Sequence, residues 1–311
     1  MRTRKTISGL TCLTILAACI TAFVFAGCDA FGFKVDEKNF PDEEFRSYIL
    51  KYYDHNDDKY IAADQIDFVT GFTLTGCDNL QGIERFTNVK SLSLTDCKDL
   101  SAIESATSLT QLHLTDCKNV TLDFRKFPNL TSLVITNSEI SVDIDLSDFA
   151  KIKEIEIADS TINNLTLNNC EILYHVYIHG SSANKIVIGN CPVLNSFTAD
   201  EVRNLNSIAI DDCPKMCGAY VIDCPELTGL AFRKCTSLTF INLFRCGVTE
   251  VDLRGCQYIW EVFNAPDALV VTDSKVRPEN VIYCCNTQKR RTTGLPDIRI
   301  ECPPDVTFIT R

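Results

Sequence analysis

The chain lacks the short signatures that many enzymes carry. No G-x-S-x-G, H-E-x-x-H, P-loop or dinucleotide fingerprint occurs in its 311 residues, so neither a nucleophile elbow, a zinc-protease helix nor a nucleotide cradle is expected. C-x-x-C and Cys/His zinc spacings are also missing, which leaves a structural zinc without a ligand set. Positive charge is in short supply: 30 Lys and Arg stand against 41 Asp and Glu, a formal net charge of −11. Without residues 1–27, which hold Arg2, Arg4 and Lys5 but no acid, the balance becomes 27 − 41 = −14. Such a surface repels phosphate backbones and argues against a nucleic-acid partner. The basic run Lys289-Arg290-Arg291 reads as a solvated loop, with contact to an anionic cell-wall polymer as the alternative.

What the chain has is a repeat of about twenty-one residues. Its register runs through Val89/Leu92/Leu94/Cys97, Leu109/Leu112/Leu114/Cys117 and Leu130/Leu133/Ile135, then through Ile152/Ile155/Ile157 and Leu173/Val176/Ile178. Val69/Phe72/Leu74/Cys77 opens the series and Ile259/Val262 closes it, giving about ten turns. One unit of this kind cannot bury its apolar edge alone, so stacked neighbours form a continuous core and the outward positions form a long display surface.

The register resembles the leucine-rich repeat, LxxLxLxx followed by Asn or Cys and then xxL, over roughly residues 69–270. The resemblance implies a mainly β, right-handed solenoid in which each LxL is a strand of a concave parallel sheet. It also implies that Cys77, Cys97, Cys117, Cys224 and Cys246 turn the chain by bonding backbone groups of the neighbouring turn. Ser138, Ser160 and Ser181 replace that residue in the middle repeats, where a hydroxyl still serves. Val202 replaces it in the next, where local irregularity is expected.

A second ladder lies half a repeat away. Leu165/Leu167/Cys170, Ile186/Ile188/Cys191, Ile208/Ile210/Cys213, Leu230/Phe232/Cys235 and Val251/Leu253/Cys256 each alternate as a short strand does. A second parallel sheet on the opposite face is therefore expected in the later repeats. In the earlier ones, the non-alternating segments 82–88 and 102–108 suit turns or single helical turns. Ten of the 17 cysteines fall at equivalent turn positions of the two ladders. Adjacent rungs lie roughly 4.8 Å apart with parallel Cβ vectors, a geometry that suits reduced thiols better than disulfides. Cys284, Cys285 and Cys302 stand apart, and a bridge from Cys302 to the pair is open.

The first 28 residues read as an address. Arg2, Arg4 and Lys5 precede an uncharged apolar stretch from Ile7 to Gly27, and Phe25-Ala26-Gly27-Cys28 resembles a bacterial lipobox. The resemblance implies lipidation of Cys28 and a membrane-anchored, extracytoplasmic protein. The stretch is also long enough for an uncleaved anchor. The expected organisation is a signal peptide over 1–27, a linker and helix–loop–helix cap over 28–68, the solenoid over 69–270 and a C-terminal cap over 271–311.

Within the N-terminal cap, Pro41 with Asp42, Glu43 and Glu44 suits a helix start. Phe45, Tyr48, Ile49, Tyr52 and Tyr53 then share one face. Asp54-His55-Asn56-Asp57-Asp58 resembles the opening of an EF-hand loop. Lys59 stands where that loop needs glycine, and Gln65 where a bidentate Glu should close it. A degenerate cap over the first rung is favoured over a working calcium site, and no metal or cofactor is assigned.

His113, His175 and His179 project from the same strand face. On a strand His175 and His179 lie roughly 13 Å apart, too far to share a metal, and Glu154 is expected beside His175 as a surface pair. Catalysis is not expected. Outward residues of the first rungs are small and polar, whereas His175, Tyr177, His179, Tyr220, Phe240, Phe244 and Phe263 concentrate rings in the C-terminal half. A contiguous patch of this kind marks an interaction site. The resulting expectation is a monomeric bacterial leucine-rich-repeat surface lipoprotein, similar to the internalin-like adhesins, that binds a protein through its concave face. A glycan-binding module, with Tyr177, Tyr220 and Phe263 stacking on sugar rings, and a passive spacer are the alternatives.

Overall fold

Alternation within each strand decides where the core lies. In Ser91–Thr95 the side chains of Leu92 and Leu94 are fully buried while Ser91, Ser93 and Thr95 keep contact with solvent. The same in–out order recurs in Gln111–Thr115, His175–His179 and Ser196–Asp200. Each buried Leu or Ile contributes about 1.5–3 kcal/mol relative to exposure, so a one-residue slip, which would turn this apolar set outward, is strongly disfavoured. The computed structural model describes residues 32–248 and 251–256, and otherwise only the backbone of Glu250 and of the strands Glu261–Phe263, Leu269–Thr272, Ile282–Cys284 and Phe308–Thr310.

The protein is a mainly β parallel solenoid with two sheets and few helices. The larger sheet has eleven strands, running from Gly71–Thr75 at one end to Ile282–Cys284 at the other. Its register keeps equivalent residues opposite one another, Leu92 beside Phe72 and Leu112, and Val176 beside Ile155 and Phe197. The smaller sheet has eight strands and begins at Ile144–Asp145, one repeat before the Leu165 rung at which the sequence shows the second ladder. In the earlier repeats the corresponding stretches hold single 3-10 turns, Ile83–Arg85, Ser101–Ser105 and Phe124–Lys126. Strands Ile282–Cys284 and Phe308–Thr310 extend the two sheets past residue 270, into the stretch expected to form a C-terminal cap.

Turns after the strands use one left-handed residue, and the chain supplies mostly Asp or Asn, which tolerate that conformation. Asp96, Asp116, Asn137, Asp159 and Asp223 follow strands of the larger sheet with φ between 47° and 56°. Asn169, Asn190 and Asp212 do the same on the smaller sheet. Their backbone N–H groups carry the ladder round the corner, Asp96 to the Thr115 carbonyl at 2.9 Å and Asp159 to that of His179 at 2.9 Å.

The next residue inward is the Cys or Ser of the repeat. The Ser160 hydroxyl donates to the Ala158 carbonyl at 2.7 Å and accepts the Ser138 backbone N–H at 3.0 Å, so one side chain ties two rungs. Ser138 and Ser181 do likewise, accepting from Cys117 and Ser160. Thiols occupy the same place: Cys117 donates to the Thr115 carbonyl at 3.4 Å and Cys191 to that of Gly189 at 3.3 Å. Every cysteine among the described residues is free. Hydrogen bonding to the adjacent thiol, and then burial, push Cys170 and Cys224 far above the ordinary thiol range, while burial raises Cys117. Such neutral thiols act as small buried polar groups. Cys284, Cys285 and Cys302 lie where no side chain is described.

The irregularity expected at Val202 does not occur. Glu201 takes the left-handed turn at φ 53°, its N–H reaches the Ile222 carbonyl at 2.9 Å, and the Arg203 N–H reaches the Ser181 carbonyl at 2.8 Å. Val202 itself fills the core in place of a bonding side chain, and the Cys224 thiol of the next rung, 3.7 Å from the Ala199 carbonyl, and the Arg203 guanidinium, 3.2 Å from that of Gly180, add to the backbone bonds.

The first rung is covered by helix Glu43–Tyr53 and a short antiparallel pair, Gly32–Lys34 with Tyr60–Ala62. Asp42 caps the helix by accepting the Phe45 N–H at 2.8 Å. Phe45 and Ile49 are buried and Tyr48 and Tyr53 pack against the core, but Tyr52, expected on the same face, is 49% exposed at its edge. Tyr53 donates its hydroxyl to the Gly71 carbonyl at 3.1 Å and the Thr73 N–H reaches the Tyr48 hydroxyl at 3.4 Å, so phenols satisfy part of the exposed strand edge. Burial, with Tyr48 adding to it, raises Tyr53 to about 12. Gly82, at φ 104°, lets the Phe40 ring lie against the first 3-10 turn, where any Cβ would collide with it.

Candidate functional site

The register brings the outward residues of the larger sheet into three straight columns. Tyr177, Thr198, Tyr220, Asn242 and Phe263 are successive partners in the middle column. Glu154, His175, Ser196, Gly218 and Phe240 form the column before it, and Ala158, His179, Asp200 and Ile222 the column after it. These positions are outward because the intervening Val176, Ile178, Phe197, Ala199, Ala219 and Val221 are all buried.

Along one strand, His175, Tyr177 and His179 stand as a row of near-parallel rings. Centroids are 6.3 Å and 6.1 Å apart, with interplanar angles of 17° and 18°. Neighbouring rungs fix both ends of the row. His175 Nδ1 lies 2.7 Å from the Ser196 hydroxyl, and His179 Nδ1 lies 3.2 Å from Asp200 Oδ2. Glu154 does neighbour His175 in the register, as expected, but the pair expected there is replaced: His175 turns to Ser196, and the carboxylate–imidazole contact is His179 with Asp200. The two rungs flank His175 equally, so register alone does not choose between them.

A second ring cluster follows two rungs on. Tyr220 and Phe240 have centroids 5.2 Å apart at 46°, and Tyr220 is 43% exposed, beside Thr198 and Asn242. Phe244 departs from the expected column. Its strand ends at Asn242, so Phe244 sits in the turn, where its N–H bonds Asn242 Oδ1 at 3.2 Å and the Arg245 guanidinium lies 4.9 Å from its ring centre. Phe263 holds the next middle position by backbone register, and its side chain lies outside the described residues. Cys28, the expected lipidation site, also lies outside them.

Sequence reasoning passed over two groups. Ile172 and Tyr174, in the turn leading into the His175 strand, are 39% and 57% exposed. Nothing in the alternation flags them, because turn residues carry no periodic signal. The second group is acidic: Glu156 is exposed beside Tyr177, on the same strand as the Glu154 already expected next to His175, with Asp200 on the other side.

The EF-hand-like loop spends its oxygens internally. Asp54 accepts the N–H groups of Asp58 at 3.2 Å and Lys59 at 2.9 Å, Asp58 accepts that of Tyr60 at 2.8 Å, and Asn56 donates to Asp58. Gln65, at the closing position, instead accepts the Ala62 N–H at 2.9 Å. Among the described residues no cluster of three or more His, Cys, Asp or Glu is placed to hold a metal, and no helix is long and apolar enough to cross a membrane.

No protein-family model and no curated protein sequence matches this chain. Three of the solved structures similar to it come from Listeria monocytogenes. An internalin (inlF) is 13% identical with a TM-score of 0.37, covering 81% of this chain and 97% of its own. An internalin C2 is 15% identical with a TM-score of 0.38, covering 72% and 98%. The functional domain of InlJ, described as including a cysteine ladder, is 13% identical with a TM-score of 0.32, covering 81% and 80%. Likeness of this degree assigns neither family nor function.

Proposed function

We propose that this chain is an exported, surface-anchored binding protein that engages a macromolecular partner, a protein, through the outer face of its eleven-stranded sheet. In this reading residues 1–27 are a signal peptide, Cys28 carries the lipid, residues 28–68 cap the solenoid and residues 69–270 display the binding face. The observation that carries it is the pairing of two ring clusters on one open, regularly spaced face: the His175–Tyr177–His179 row and the Tyr220–Phe240 pair. Rings that stand on a rigid sheet lose little entropy when a partner covers them, and aromatic anchors dominate protein interfaces. The elements beneath them are strands in a continuous core, so the face is held in place before binding.

Cross-linking on intact cells, followed by titration of the recovered partner, tests the binding half. Tyr177→Ala and Tyr220→Ala should weaken it, and retention of full affinity in both would remove the assignment. A glycan array run in parallel separates a sugar ligand from a protein one. Incorporation of labelled fatty acid into wild type, and its loss in Cys28→Ala, tests the anchor; an unlipidated chain that keeps residues 1–27 would point to an uncleaved anchor instead.

A further inference from the structure

The charge of the binding face is one-sided. About one residue in ten of the chain is Lys or Arg, 30 of 311, yet none of the eleven strands of the larger sheet contains either. The smaller sheet is mixed, with Lys185 and Arg233 in its strands. Where the larger sheet is charged it is acidic. Glu154 and Glu156 stand on the rung before the His175–Tyr177–His179 row, and Asp200 on the rung after it. Just past the strand ends, Asp96, Asp116, Asp159, Glu201 and Asp223 occupy left-handed turn positions along one edge, and the cation at that position, Arg245, is paired with Asp223 at 3.4 Å. Lys90 and Lys153 precede their strands and stand at the other edge.

Carboxylates on both sides of exposed rings make a surface complementary to cations. A guanidinium or ammonium is attracted to a ring face by its quadrupole, and a flanking carboxylate completes the pairing. The stem of Arg or Lys meanwhile lies against the ring. From Glu154 to Phe240 the face crosses four rung intervals, roughly 19 Å at 4.8 Å each, long enough for several residues of an extended chain.

We propose that the partner of this face presents a cationic segment, with its Arg or Lys charges set against Glu154, Glu156 and Asp200 and its side-chain stems lying over Tyr177 and Tyr220. This rests on the binding-face reading above and narrows its partner to one of opposite charge. Association should therefore be fast at low ionic strength and weaken as salt rises.

The test uses the full chain in detergent and, as probe, a short fluorescein-labelled peptide alternating Arg and Leu, with a Glu-for-Arg version as control. The Arg peptide should bind and the Glu peptide should not. Glu154→Gln/Glu156→Gln, and separately Tyr220→Ala, should each weaken the Arg peptide by about tenfold, as expected for charge and ring contacts at an interface. Asp148→Asn/Asp212→Asn, which removes the same charge at turns of the smaller sheet, should change nothing. Failure of the Arg peptide to bind, or equal losses from the two double variants, overturns the proposal. A recovered native partner that needs Tyr177 and Tyr220 but is indifferent to Glu154→Gln/Glu156→Gln keeps the binding face and removes the cationic segment; indifference to both sets removes both.

Discussion

Asp42 Oδ2 accepts the backbone N–H of Asp78 at 2.7 Å, across 36 residues of chain. The same oxygen takes the Asn79 N–H at 3.3 Å, and the other carboxylate oxygen caps helix Glu43–Tyr53. One nearly buried carboxylate thus closes the turn after the first strand and starts the helix that covers it. On the next rung the equivalent N–H groups, those of Lys98 and Asp99, reach the Cys77 and Asp78 carbonyls of the rung before at 3.0 Å each, and the first rung has no repeat before it.

Asp42→Ala is expected to destabilise the protein by about 2 kcal/mol or more, since it removes a helix cap and leaves buried donors unpaired. Asp42→Asn keeps one carbonyl oxygen at that position and should cost less. Urea unfolding checks the order; an Asp42→Ala variant as stable as wild type would show that water replaces the carboxylate.

Ser160 tests the inter-rung tie. Ser160→Val strands the Ser138 N–H in the core and should cost about 1–3 kcal/mol. Ser160→Cys puts in the residue that most other rungs use and should cost less than about 1 kcal/mol. Thermal melting of the two variants decides it, and a Val variant as stable as the Cys one would mean that packing, rather than the bond, holds the corner.

On the smaller sheet, Asp252 accepts from Arg233 Nε at 2.7 Å and Arg254 Nη2 at 2.6 Å. Burial opposes ionisation of Asp252, but the Arg254 and Arg233 hydrogen bonds outweigh it and hold the carboxyl down at about 2, against an ordinary value of 3.8. Because the folded value is the lower, its stabilising contribution is complete above about pH 4 and is lost as pH falls toward 2. Asp252→Asn should flatten that part of the stability–pH curve; an unchanged acid limb would assign acid loss to other carboxylates.

Calorimetric titration of the acidic loop should show no calcium binding tighter than about 10⁻⁴ M, the weak end of such loops. Asp54 and Asp58 already serve backbone donors, and Gln65 is turned to Ala62. A micromolar site abolished by Asp54→Ala would contradict this.

The parts of the molecule legible in the sequence are those where burial has a period. Leu92, Leu94, Leu165 and Leu167 announce their strands because each alternates in a recurring frame. The strand Ile144–Asp145 is harder to see, being two residues long and without a following Cys. The turn at Val202 is regular without a bonding side chain of its own, because the backbone bonds of Glu201 and Arg203 and the neighbouring Cys224 and Arg203 side chains hold it, and none of these shows in the repeat pattern. In the candidate site, the columns through Tyr177 and Tyr220 follow from register. The choice of Ser196 over Glu154 by His175 is a rotamer decision between equivalent neighbours, which no linear pattern records. The absence of Lys and Arg from all eleven strands was readable, but only once the strands were known to lie side by side.

The most direct test of the central claim is an affinity titration of the recovered partner against face-specific variants. Tyr177→Ala and Tyr220→Ala should each lower affinity by about tenfold or more, as ring anchors at interfaces do. Their circular dichroism and melting should stay near wild type, because these side chains point away from the core. Lys185→Ala, on the smaller sheet, should leave affinity unchanged. Loss of binding in Lys185→Ala with full binding in both tyrosine variants would place the functional surface on the opposite sheet.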